Sequence, residues 1–136
     1  MLPLHYTRQW RAVSILLLIS VLAFTLTPPN WFWQGQGKAF RWAVHIDKWQ
    51  HGLTFAFLAV WFAGQYTRQS YWRIAGGLLA FGLLIEVCQR MVEYRSADLL
   101  DVGANIAGIA AGLLFAVMGL GGWALRFEAC LADPAR

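Results

Sequence analysis

The sequence predicts an all-α fold, a four-helix transmembrane bundle forming one domain, on three observations. Charged residues make up 13% and hydrophobic residues 59% of the 136 residues, whereas a soluble domain carries about 25% charge. Four apolar runs come close to or reach the roughly 17 to 25 helical residues that a hydrocarbon core of about 30 Å requires. No internal repeat, low-complexity stretch or linker divides the chain. The same composition excludes a disordered protein, which needs low hydrophobicity and high net charge.

The first run covers residues 12–27. It is short, but Trp10 precedes it and Trp31 and Trp33 follow it as interfacial anchors, and Pro28 and Pro29 end it. Arg8 and Arg11 ahead of an apolar stretch also describe a secretory signal. Leu26-Thr27-Pro28-Pro29 offers no small-x-small cleavage site, so the expectation is an uncleaved helix. The remaining three runs are expected over residues 48–66, 72–92 and 99–123.

Eleven Lys and Arg against seven Asp and Glu give a net charge of +4. In a soluble protein that excess would suggest nucleic acid; in a membrane protein it reads as loop charge, and no nucleic-acid partner is expected. The N-terminus, the loop between the second and third runs, and the C-terminus carry Arg8, Arg11, Arg68, Arg73, Arg126 and Arg136. The opposite side carries Lys38, Arg41, Lys48, Arg90 and Arg95, a score of six against five. If neighbouring acids hold Lys48 and Arg95 in an internal network, the score becomes six against three, which places both termini in the cytoplasm. Cys88 and Cys130 then fall on opposite sides, and no disulfide between them is expected.

The polar residues of the apolar runs gather at one end. His51 stands near the start of the second run, Glu86 and Gln89 near the end of the third, and Asp98, Asp101 and Asn105 near the start of the fourth. In an up-down bundle those ends share one membrane face. Residues three and four apart share a helical face, so Asp47, Lys48 and His51 align, as do Glu86, Gln89, Arg90 and Glu93. Asp98, Asp101, Asn105, Gly108 and Gly112 form a stripe that is polar at one end and small further in. The small half predicts a seam where a neighbouring helix approaches closely. Glu86 lies inside its run, where an ionised group costs a few kcal/mol, so it needs Lys48, His51 or Arg95 as a partner or else a proton.

These residues resemble the VanZ-like family of small bacterial membrane proteins. Asp47-Lys48-Trp49-Gln50-His51 matches its D-K-x-x-H element, and Glu86-Val87-Cys88-Gln89 its E-x-x-Q. Arg95, Asp101, Asn105 and Gly108 match R-x5-D-x3-N-x2-G, and the resemblance covers residues 45–112 directly. The resemblance implies a four-helix protein of the bacterial cytoplasmic (inner) membrane and a link to glycopeptide or envelope-stress resistance. It implies a site without naming a reaction.

Several chemistries fit that site. His51, Glu86 and Asp101 are the catalytic candidates, His51 and Glu86 as an acid/base pair. Asp47, Lys48, Gln89, Arg95 and Asn105 are the substrate-binding candidates, with Lys48 and Arg95 suited to a phosphate or carboxylate. Together they suit the anionic head group of a membrane lipid or lipid-linked cell-envelope precursor. Asp47, His51, Glu86 and Asp101 also form a mixed oxygen and nitrogen set that a divalent ion accepts, without a second histidine, since His5 and His45 lie off those helical faces. Ser96 is adjacent, but nothing marks it as an activated nucleophile.

The alternatives are a transporter or flippase, which with four helices requires a homo-oligomer, and an accessory subunit of a membrane complex. Against all of these stands plain structural glue, polar pairs that fix helix packing. That bland reading is preferred for Arg90, Glu93 and Asp98, which lie near the surface.

Overall fold

The computed structural model describes residues 1–27, 40–91 and 99–132, with the side chains of 40–47 and 99 excepted. It is all-α: α1 (Thr7–Leu26), α2 (Phe40–Gln65), α3 (Tyr71–Arg90), α4 (Leu99–Phe115) and α5 (Trp123–Ala132). A 3-10 turn, Arg68–Ser70, leads into α3. Three stretches are long and apolar enough to cross a membrane: Thr7–Leu26, Arg68–Arg90 and Leu100–Leu120.

Two expectations from the sequence require correction. The second helix begins at Phe40 and not near residue 48. No Gly or Pro interrupts Phe40 to Asp47, and apolar length marks where a helix can meet lipid, not where it starts. The expected helix over residues 99–123 is not continuous, so the described chain has five helices and not four. Its regular part stops at Phe115 and passes through a widened π turn, Ala116–Leu120. Gly119 (φ 146°) and Gly122 (φ 69°) then take backbone angles that other residues rarely adopt, and the chain turns into α5.

The central helix is α2, which touches every other helix and packs most extensively on α4. Phe55, Leu58 and Ala59 of α2 meet Ile74, Leu78 and Ile85 of α3 and Ile109 of α4, with Leu17, Leu18, Val21 and Leu22 of α1 along one flank. Large apolar side chains also point outward, among them Ile15, Leu16 and Ile19 of α1, Leu83, Leu84 and Val87 of α3, and Ile106 and Leu114 of α4. A soluble monomer rarely exposes so wide an apolar surface, but a hydrocarbon solvent covers it without cost.

The α2/α4 contact is as close as the small-residue stripe anticipates. A methyl group on Gly108 would overlap the Gly52 carbonyl, and one on Gly112 the Ala56 carbonyl and the Ala59 side chain. In lipid, where apolar burial does not draw helices together, van der Waals contact of this kind does.

The opposite end of the bundle is closed by α5. Trp123 donates its indole N–H to the Val60 carbonyl (3.1 Å), and the Gly122 amide bonds to the Ala63 carbonyl (3.1 Å). The Trp123 indole fills the space beside Gly64 that any side chain there would need. Trp10, Trp61 and Trp123 pack together, with ring centroids 5.3 to 5.7 Å apart. Beneath them the buried Ser14 hydroxyl accepts from Trp61 (3.0 Å) and Gln65 (3.2 Å).

Glu128 of α5 is buried and completes this closure. It accepts the backbone N–H of His5 (2.7 Å) and Tyr6 (3.0 Å) and the indole N–H of Trp10 (2.7 Å). The start of α1 has no side-chain cap of its own, so α5 supplies from a distance the acceptor and negative charge that a helix N-terminus favours. Burial, the largest single influence, would raise the Glu128 pKa. The Tyr6 and His5 amides, the Trp10 indole and the His5 ring together outweigh it and hold the carboxyl below the ordinary value of 4.5.

Two outcomes follow for unfolding in detergent. Gly108→Ala forces α2 and α4 apart and costs about 1–3 kcal/mol, whereas Gly77→Ala, with open space around its Cβ position, stabilises by up to about 1 kcal/mol. Thermal melts followed by circular dichroism separate the two. Because the folded pKa of Glu128 is lowered, its stabilisation is fully present above pH 4.5 and disappears as pH falls through the folded value. Glu128→Gln therefore melts below the wild type at pH 7, and the gap narrows as the pH is taken down through the lowered folded pKa.

Candidate functional site

The end of the bundle away from α5 holds the polar residues singled out by the sequence. His51 comes from α2, Glu86 and Gln89 from the last turns of α3, and Asp101 and Asn105 from the first turns of α4. All five are buried, between 1% and 6% exposed. That burial is unusual for groups so polar, which are found inside only when their charges and hydrogen bonds are provided for.

The glycine seam sets this geometry. Gly108 lies three residues beyond Asn105 and Gly52 directly follows His51, so the contact that draws α2 to α4 also brings Asn105 against the imidazole. His51 Nδ1 and Asn105 Oδ1 are 3.2 Å apart. The amide oxygen only accepts, so Nδ1 carries a proton here, and in the neutral ring Nε2 holds the lone pair. On the α3 side Gly82, one turn before Glu86, makes the room. A Cβ there would stand 2.9 Å from Asn105 Nδ2 and 3.2 Å from Phe55 Cζ.

The structure brings His51, Glu86 and Asp101 together. One imidazole nitrogen and one oxygen of each carboxylate all lie within 4.8 Å of one another, each from a different helix. Among the described residues Asn105 Nδ2 is buried with no hydrogen-bond partner. A buried donor left unmade costs about 1–3 kcal/mol, so this amide, which lies beside Gly82, has a hydrogen bond still to give. The combination offers an imidazole, two carboxylates for acid/base work or metal ligation, and an amide donor.

The other site residues are placed less fully. Lys48 is half-buried one turn before His51 on α2, as the D-K-x-x-H spacing expects. The α2 backbone includes Asp47, but its side chain, like all of Arg95, Asp98 and Glu93, lies outside the described residues. Gln89 shares the α3 face of Glu86, yet its amide donates to the Thr25 carbonyl at the end of α1 (3.2 Å). That bond ties α1 to α3, a packing role that the E-x-x-Q spacing did not reveal. Arg90 is exposed. Both cysteines are free.

The sequence pattern of the VanZ/LLP1 family matches residues 2–120, and the chain belongs to that family. The match contains the whole polar pocket and ends just short of α5. No curated protein and no solved structure shows significant similarity to the chain.

Proposed function

We propose that this VanZ/LLP1 protein binds and acts on the anionic head group of a membrane lipid or lipid-linked cell-envelope precursor, at the non-cytoplasmic face of the bacterial cytoplasmic membrane. The observation that carries the reading is the buried meeting of His51, Glu86 and Asp101, with Asn105 holding the imidazole. In this arrangement α2 is a fourth span. Its 26 residues measure about 39 Å as a helix, long enough to cross. Its described start carries Lys48, Gln50 and the buried His51, which lower its mean hydropathy, and hydropathy alone therefore passes it over. The excess of Lys and Arg in the flanks favours cytoplasmic termini.

His51 Nε2 serves as the base that takes a proton from water or a head-group hydroxyl, with Glu86 and Asp101 positioned to share or return it. Lys48, and Arg95 by its place in the motif, neutralise the phosphate or carboxylate of the head group. The acyl chain lies in the surrounding hydrocarbon. Acting on envelope lipids is the route by which such a protein would affect glycopeptide resistance. Interhelical polar contacts contribute only about 0.6 kcal/mol each, too little for packing alone to explain three ionisable groups gathered where each is costly to bury.

The test is a mass analysis of lipids after incubation with the purified protein in detergent, where no membrane barrier exists and transport is silent. The wild type converts an anionic lipid or envelope precursor, and His51→Ala and Glu86→Gln each reduce the rate by about 100-fold or more. Gly77→Ala leaves it unchanged. Unaltered lipids with the wild type, or full rates in both pocket variants, contradict the reading.

A further inference from the structure

The same three side chains are, by type and placement, a ligand set. His51, Glu86 and Asp101 project from three separate helices into one buried space, with a ligand-capable atom of each within 4.8 Å of the other two. Donor atoms around one ion bound at about 2.0–2.2 Å stand roughly 3 to 4 Å apart, a contraction within the reach of side-chain rotation. Because the three helices are already packed, the donors are largely preassembled.

Asn105 supplies an independent indication. Its Oδ1 fixes the His51 ring through Nδ1 and leaves Nε2 as the coordinating nitrogen, the part played by an outer partner of a metal-binding histidine. Its Nδ2, on a residue 1% exposed, has no hydrogen-bond partner among the described residues. Three protein ligands leave a metal ion with open positions that water or a substrate oxygen fills. Such an oxygen is an acceptor of the kind this amide donor lacks.

We propose that His51, Glu86 and Asp101 bind a divalent transition-metal ion in the pocket. One imidazole nitrogen and two carboxylate oxygens suit Zn²⁺ or Mn²⁺, whereas Mg²⁺ and Ca²⁺ favour oxygen throughout. The bound ion offsets the charge of the two carboxylates and presents a cationic surface to the oxygen of an anionic head group. This inference rests on the pocket being the functional centre proposed above and replaces the role of His51 Nε2 as base, since a nitrogen that ligates an ion has no lone pair left for a proton; its test needs no lipid.

Full-length protein in detergent, stripped with a chelator and dialysed, is titrated with ZnCl₂ and with MnCl₂ by calorimetry, and its metal content is measured by mass spectrometry. The expected result is one ion per chain for at least one of the two metals. The near-isosteric Glu86→Gln and Asp101→Asn, and His51→Ala, each abolish saturable binding, while Asn105→Leu weakens it by about 10- to 100-fold. Glu128→Gln binds as the wild type does, and circular dichroism confirms that the variants compared are folded. No saturable binding of either ion, or binding unchanged in Glu86→Gln and Asp101→Asn, overturns the inference. Lipid conversion by metal-free protein that also shows no saturable binding would overturn it and leave the lipid reading standing. Metal binding with unaltered lipids would support it and remove the lipid reading.

Discussion

The backbones of α2 and α4 touch, and the placement of the polar pocket follows from that contact. Gly108 and Gly112 lack side chains where the carbonyls of Gly52 and Ala56 occupy the space. In a lipid solvent this contact does what apolar burial does in water. It also sets a register. Asn105 stands three residues from Gly108 and Asp101 four residues further back, so the turn of α4 that faces His51 is the turn bearing the amide. Gly82 then allows α3 to carry Glu86 alongside without displacing Asn105.

Both ends of the bundle bury polar groups, and they do so in different ways. Around Ser14, Gln65 and Glu128 the donors and acceptors are matched by short local hydrogen bonds, with three indoles packed above them. Nothing there offers a substrate an unmet group, and the result is a rigid closure between α1, α2 and α5. At the other end Asn105 Nδ2 has no hydrogen-bond partner among the described residues, and three titratable side chains crowd one space. An apolar core of Phe55, Leu58, Ile85 and Ile109 separates the two ends. The first end belongs to architecture, and the end that gathers His51, Glu86 and Asp101 is the one suited to chemistry.

The pocket was legible in the sequence because it is written in helical spacing. Asp101, Asn105, Gly108 and Gly112 read as one face before any coordinates are considered, and so do Lys48 with His51 and Glu86 with Gln89. What spacing does not carry is the backbone angle at a glycine. Hydropathy runs unbroken across Gly119 and Gly122, so the turn that ends the fourth helix and begins α5 was invisible to it. Glu128 was hidden for a related reason: its partners at His5, Tyr6 and Trp10 lie almost the full chain length away, and a lone acid near the C-terminus reads as solvated. The spacing of Gln89 shows the face it shares with Glu86 but not the bond its amide gives to the Thr25 carbonyl of α1, a partner 64 residues away in sequence.

The central claim is that groups from α2, α3 and α4 share one pocket within the membrane, and dipolar solid-state NMR tests it most directly. With the protein reconstituted in lipid bilayers and labelled at histidine, aspartate, asparagine and glutamate, the His51 ring nitrogens are recoupled to side-chain carboxyl and amide carbons. The account predicts cross peaks from His51 to Asn105, Asp101 and Glu86, since all three side chains lie close to the imidazole. A His51 ring that correlates only with water or lipid would contradict it.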